Sequence, residues 1–503
     1  MRKILNVSCI VFYALCLSFT SYSQKHDFNW YLGYTLGQQT DFLGNIHIDF
    51  NETPPSITSI DLGISFSSYA GTTSDSTGAL LFYTNGLQIY NRLNQIMPGG
   101  DTINPGLIWN IANNSVFQAY IGLAGAFALP QPGHFNIYYL IHPDLDRING
   151  EYLIKNLYYS VVDMNANNGL GQVLVKNQVL MTGDLIWPSA VKHGNGRDWW
   201  IMCAQRSMPT NIRFLLSEDG ISGPFAQDIG DPEFALTEYV GKSLFSQDGN
   251  LYLRHDTHNA LRIYDFDRCT GELSNLRLVP FQSDLPSWMA TFSPNNNYLY
   301  LNRPDWMWTL DVQATDISAT FDTLAFWELQ YCPAPPFSTG YMWPQLGPDG
   351  KIYSSHVTST NCINIIHRPN LPGYAADCEE AGIHMERFND QTICPAPNYR
   401  LAEWAESPCD TFNFQQTDDS FQRTQYDKEF AHPHEKRGYT VLPGIKTADC
   451  KECTEQQLKI LQNPVEFIKY RIEYLEAGVI PKEWAELPAE GEVIKSLLTP
   501  RKE

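Results

Sequence analysis

The sequence predicts an all-β chain folded as a β-propeller, with a small helical segment at its C-terminal end. Three observations carry this. One hairpin phrase recurs: "SLFSQDGNLYLRH" (243–255), "ATFSPNNNYLYLNR" (290–303) and "PQLGPDGKIYSSH" (344–356). Each reads as a strand, a tight turn at Gly, Asp or Asn, and an alternating returning strand. Looser copies precede them at 73–85, 130–142 and 192–203. The spacing is regular: with Gly78, Gly133, Gly196, Gly249, Asn297 and Gly350 as markers, the intervals are 55, 63, 53, 48 and 53 residues. Units of about 40–50 residues are the signature of four-stranded propeller blades. Finally, Tyr 27, Phe 26 and Trp 12 supply bulky side chains for packing between sheets, and helical patterns are scarce before residue 410.

The blade number follows from the ends. Gly350 to residue 405 spans 55 residues and Gln24 to Gly78 spans 54, together about two periods. Seven blades fit best, with six or eight as the neighbouring solutions. One blade is then built jointly from both ends of the chain, which closes the ring and leaves no open edge. "FNWYLGYTLGQQTDF" (28–42) is expected to supply one part of it and "MERFND" (385–390) another.

Residues 1–23 read as a cleavable export signal. Arg2 and Lys3 precede an apolar run from Ile4 to Phe19, and Ser21 and Ser23 stand at a cleavage-type site. The run is too short for a membrane span. Export is therefore expected, to the periplasm, the cell surface or the medium. Removing the signal leaves nine of 11 cysteines, an odd number, so they cannot all pair internally. Cys332, Cys362, Cys378, Cys394 and Cys409 crowd one stretch, which suggests disulfides stapling loops, with connectivity open.

Charge divides the chain near residue 410: 59 of 409 residues are charged before it and 30 of 94 after. The net charge of −21 disfavours nucleic acid and anionic membranes as partners, because both bind through cationic contacts. The expected organisation is signal 1–23, propeller 24–405, linker 406–449 and helical tail 450–503. In the tail, Asn463 can cap a helix that starts at Pro464, Glu466 completes a capping box, and Gly478 ends it. Ile468, Ile472 and Leu475 share one face, which needs either the propeller or an envelope partner to cover it.

Several stretches resemble a known family. "FNWYLGYTLGQQTDF", "GALLFYTNGLQIYNRLNQIMPGGD", "NIYYLIHPD", "MATFSPNNNYLYL", "PQLGPDGKIY" and "CPAPNYRL" look like the N-terminal propeller of large exported proteins of gliding and related Bacteroidetes-type bacteria, over residues 28–401. The resemblance implies an exported propeller and says little about activity. Many members end in a β-sandwich that directs type IX secretion; no similar ending follows Cys409 here.

Candidate chemistry is sparse. Three residues after the aromatic of each returning strand stand Asn85, His142, Cys203, His255, Arg303 and His356. Strand alternation puts them on one face and propeller symmetry at one level, forming a polar ring. His142, His255, Arg303 and His356 are the candidate binding residues, for an anionic or carbohydrate ligand. The plainer reading, and the preferred one, has them hydrogen-bond the neighbouring blade. "RHDTHNALRIYDFDR" (254–268) gathers His255, Asp256, His258, Asp265 and Asp267, a pattern open to metal binding or acid–base work but read mainly as a turn and a strand. In the tail, His432, His434, Cys450 and Cys453 make an acceptable zinc set; a linker and a disulfide explain the same residues. No cofactor is otherwise expected. The function expected is non-enzymatic binding or scaffolding of glycan or protein. The alternative is a propeller hydrolase or lyase acting on a polysaccharide or a lactone, since one fold serves many activities.

Overall fold

The computed structural model describes residues 24–33, 44–66, 69–115, 118–120, 125–134, 136–148, 151–230, 242–255, 260–280, 289–327, 332, 339–356, 360–389, 396–401 and 409. Seven antiparallel sheets follow one another along the chain. The first holds β1 (Asn29–Gly33), β2 (Asn45–Asp49) and β3 (Ser56–Ile60); the second holds β4 (Gly71–Ser74), β5 (Leu80–Thr84) and β6 (Ile89–Asn91). The third has β7 (Phe127–Pro130), β8 (Ile137–Ile148), β9 (Glu151–Asp163) and β10 (Gln172–Leu185). The fourth has β11 (Ser189–Lys192), β12 (Trp199–Ala204), β13 (Thr210–Ser217) and β14 (Gly220–Asp228). The fifth has β15 (Lys242–Phe245), β16 (Leu251–His255), β17 (Ala260–Phe266) and β18 (Leu273–Pro280). The sixth has β19 (Met289–Phe292), β20 (Tyr298–Arg303), β21 (Trp306–Asp311) and β22 (Asp322–Phe326). The seventh has β23 (Met342–Leu346), β24 (Ile352–Ser355), β25 (Thr360–Ile366) and β26 (Cys378–Asn389). Together they form a seven-bladed propeller.

Period-two alternation builds the ring, because each strand must satisfy both neighbouring blades. In β16, Leu251 and Leu253 pack toward the sixth blade with Leu299 and Leu301, while Tyr252 packs back on Trp200 and Met202 of the fourth. In β1, Tyr31 meets Leu80 and Tyr83 of the second blade, while Trp30 and Leu32 meet Tyr353, Ile363 and Ile383 of the seventh. That last apolar interface joins the end of the ring to its beginning. Polar contacts reinforce it: the Arg400 guanidinium donates from both Nη atoms to Asp27, at 2.6 and 2.9 Å, across 373 positions of sequence. A Cys269–Cys409 disulfide fastens the chain beyond to the fifth blade.

The repeated hairpin is the turn between the first and second strands of six blades. Its markers Gly78, Gly133, Gly196, Gly249 and Gly350 all have φ between 70 and 92°, where a side chain would be strained. In the sixth blade Asn296, not Asn297, takes this position, with φ 61°, and its N–H bonds Ser293 O as that of Gly249 bonds Ser246 O. Asparagine tolerates the left-handed region better than most residues. The segment 385–390 departs from expectation. Its described part belongs to β26, paired with β25 in the seventh blade, and packs against the first blade. Residues 28–33 do open the first blade as expected. Residues 1–23, read above as an export signal, and 410–503, read as linker and helical tail, lie outside the described residues, and among those described no helix is long and apolar enough to cross a membrane.

Arg400→Ala leaves the nearly buried Asp27 carboxylate without its cation, and is expected to lower stability by about 2 kcal/mol, below the range for fully buried pairs because the arginine is part-exposed. Urea unfolding of the mature chain checks this; an unchanged midpoint would show that the ion pair plays no part in closure.

Candidate functional site

The predicted polar ring lies where the second strand reaches the start of the first strand beside it, in six blades. Register separates one member from the rest. First-strand residues opposite the second strand identify equivalent positions: Ser189↔Met202, Lys242↔His255, Met289↔Asn302 and Met342↔Ser355. Cys203, Arg303 and His356 thus stand one residue beyond the level of His255. A one-residue step turns a side chain to the other face of its sheet. His255 faces the next blade, the others the preceding one. The aromatic used as anchor causes the error: Tyr252 pairs with Phe245 at the first position after the turn, whereas Tyr300 sits at the second.

Burial decides what these residues can do. His142 is fully buried, with Nδ1 2.7 Å from Asn104 Oδ1 and Nε2 2.9 Å from Ser160 Oγ. Burial holds its pKa down at about 3. His356 is equally buried, has Nδ1 2.9 Å from Gly340 O, and is lowered to about 4 by the same cause. His255 is buried as well. Asn85 Oδ1 accepts from the N–H groups of Leu87 and Gln88, and burial raises the Cys203 thiol to about 12. His142, His356 and Cys203 are therefore neutral, inward-facing groups at neutral pH. Arg303 alone reaches the surface, where its Nε and Nη2 donate to Asp305 at 2.6 and 2.7 Å and its guanidinium lies over Trp308.

Around Arg303 the sixth blade carries an aromatic strip. Trp306 and Trp308 stack with an interplanar angle of 15° and centroids 5.8 Å apart, and Phe326, 46% exposed, meets Trp306 edge-on at 4.6 Å. Alternation puts both tryptophans on one side of β21, and register puts Arg303 opposite Trp306. The strip lies near the end of the propeller where second strands turn into third strands.

The opposite end is filled by the chain itself, in a seat that sequence reasoning did not foresee. Tyr399 Oη donates to Ala128 O at 2.6 Å, and its ring meets His26 and Trp199. Asn398 Nδ2 donates to Gln247 O, and Lys192 Nζ donates to Gln24 Oε1 while lying over the Trp199 ring. Segment 396–401 thereby bridges the first, third, fourth and fifth blades. Its one sequence signal is position: it follows the last strand of the last blade and has no sheet of its own. Burial lowers His26 there to about 4.

The remaining sequence candidates take structural places or lie outside the described residues. Asp265 pairs with Arg277 and Asn275, and Asp267 accepts from the N–H groups of Cys269 and Thr270 in the following turn. Asp256, His258, His432, His434, Cys450 and Cys453 lie outside the described residues. Of the clustered cysteines, Cys332 pairs with Cys362, Cys409 pairs with Cys269, Cys378 is a free thiol and Cys394 lies outside the described residues; Cys203, outside the cluster, is also a free thiol.

His26, His142 and His356 stay neutral in the fold while their unfolded counterparts titrate near 6.5. Below that pH the unfolded chain binds protons that the folded one refuses. Their stabilising contribution is therefore complete above about pH 6.5 and declines toward about pH 4, by up to about 1.4 kcal/mol per pH unit for each histidine. Urea midpoints at pH 7 and 5 test this, and a midpoint that rises or holds at pH 5 contradicts it.

No family model and no curated protein matches this sequence. Among solved structures it is similar to a protein from Lactobacillus plantarum, at 11% identity over 67% of this chain and 90% of that one, with a TM-score of 0.40. It is similar also to a Bacteroides fragilis protein named provisionally as a 6-phosphogluconolactonase, at 11% identity over 69% and 93%, TM-score 0.38. An auxiliary nutrient binding protein from Bacteroides thetaiotaomicron matches at 10% identity over 67% and 65%, TM-score 0.31.

Proposed function

We propose that this chain is an exported, non-enzymatic binding protein of the Bacteroidetes-type propeller kind, and that it engages a glycan at the end of the propeller opposite the 396–401 seat. The observation that carries the reading is the Trp306–Trp308–Phe326 strip beside the Arg303–Asp305 pair. Flat aromatic faces suit the C–H faces of a sugar ring, and the flanking guanidinium and carboxylate suit its hydroxyls. The pair is neutral in sum, which favours an uncharged sugar. The buried histidines support binding over catalysis, because neutral, hydrogen-bonded imidazoles are poorly suited to proton transfer near pH 7. Within this reading His142, His255 and His356 support the strands, and Arg303 contacts the ligand.

Glycan-array screening and calorimetry of the mature chain, with Arg303→Ala and Trp306→Ala variants, test the proposal. Saturable binding without turnover is expected, weakened by about 1–3 kcal/mol, roughly five- to 150-fold, in either variant. Turnover of a polysaccharide or a lactone that survives both substitutions would overturn it in favour of a hydrolase or lyase.

A further inference from the structure

We propose that Cys332, His356, Cys362 and His384 form a redox-gated metal site in the seventh blade: a disulfide when oxidised, a two-cysteine, two-histidine zinc site when reduced. The four donors come from different parts of the blade. Cys362 on β25 stands directly opposite His384 on β26, and His356 follows β24. Cys362 Sγ is 3.4 Å from His356 Nε2, and Cys332 Sγ is 3.6 Å from His384 Nδ1. The two sulfurs are bonded to each other. Nitrogen, sulfur, sulfur and nitrogen thus lie in one continuous row.

Two of the six donor–donor edges of a tetrahedral ion are already near their length. With Zn–S of about 2.3 Å and Zn–N of about 2.0–2.1 Å, adjacent N and S vertices are about 3.6 Å apart. Both N···S separations already have that length. Once reduced, the sulfurs are held apart by van der Waals repulsion, at about the S···S edge of the same tetrahedron. Two thiolates and two imidazoles around a divalent cation sum to zero charge, which a buried site requires. Cys332, Cys362 and His356 are fully buried, while His384 is only partly so and offers the route inward.

Surrounding groups orient the donors as metal sites require. His356 Nδ1 lies 2.9 Å from Gly340 O, 3.2 Å from Gly340 N and 3.5 Å from Asn364 Nδ2; the tautomer that donates to Gly340 O is the one that turns the Nε2 lone pair toward Cys362. Asn364 Nδ2 donates to the same carbonyl. Asn361 Nδ2 donates to Met385 O, which turns its Oδ1 toward Cys332 Sγ at 3.4 Å, a contact that suits a thiol proton and must open when the thiolate binds metal. As the structure stands, no group of three or more His, Cys, Asp or Glu among the described residues is placed to hold a metal, these four included. Reduction creates one. The mixed sulfur and nitrogen set selects zinc.

The chemistry balances with a dithiol as reductant. One of its thiolates attacks a sulfur of the pair, its second thiol resolves the mixed disulfide, and two electrons and two protons pass to the cysteines. The dithiol leaves as a cyclic disulfide. Zinc then displaces both thiol protons to solvent.

The test uses the full chain carrying Cys450→Ser and Cys453→Ser, reduced anaerobically with dithiothreitol, desalted and titrated with Co²⁺ and then Zn²⁺. A thiolate-to-cobalt charge-transfer band saturating at one equivalent, bleached by Zn²⁺ and absent from the oxidised protein, is expected. His384→Gln should weaken cobalt binding at least about tenfold while leaving the melting of the oxidised form unchanged. Cys362→Ser should abolish the band, and Cys269→Ser with Cys409→Ser should preserve it. A reduced protein that shows no band at one equivalent, or a band that survives Cys362→Ser, overturns the proposal.

Discussion

The structure depends on one constraint: nearly every strand near the axis is covered on both faces by neighbouring blades, so its two side-chain rows must serve two interfaces at once. Leu251 and Leu253 go one way and Tyr252 the other; Trp30 and Leu32 go one way and Tyr31 the other. A one-residue slip would exchange the rows and spoil both interfaces together. Closure multiplies the constraint, because the seventh interface must fit after six others have set the curvature. It fits through apolar surface, with Trp30 and Phe50 packed against Tyr353, and through the Asp27–Arg400 pair.

The same constraint explains why histidines populate the interior. Where second strands approach their turns, space between blades must be filled by groups that also satisfy irregular backbone. A neutral imidazole offers one donor and one acceptor on a flat ring, which matches two neighbours without burying a charge. His142 links Asn104 to Ser160, and His356 meets Gly340 while its second nitrogen turns to Cys362. Burial suppresses protonation in both, so these groups act as fixed dipoles at neutral pH. The position that makes them good spacers also places one of them beside a sulfur pair.

The two ends of the ring are chemically different. At the end of the repeated hairpins, Tyr399 and Asn398 occupy carbonyls that the first strands and their turns would otherwise present to water. At the other end, aromatic surface and a matched ion pair stay accessible on the sixth blade. Self-occupation of one end and an aromatic face at the other give the molecule a direction that sevenfold repetition alone does not supply.

Repetition, turn chemistry and two-residue alternation were legible in the linear chain because they are local. Gly249 and Gly350 demand a positive φ wherever they sit, and counting such turns yields the sheets and, from the lengths of the ends, their number. The acidic balance is read from composition alone. What required three dimensions was everything set by distance across the ring. Register placed His255 on the opposite face from its supposed equivalents, because an aromatic can occupy either of two adjacent positions and only strand pairing says which. The seat of Tyr399 and Arg400, the pairing of Cys269 with Cys409, and the meeting of His384 with the Cys332–Cys362 disulfide join residues up to 373 positions apart. Such contacts follow from how blades curve and close, and no local rule of sequence encodes that curvature.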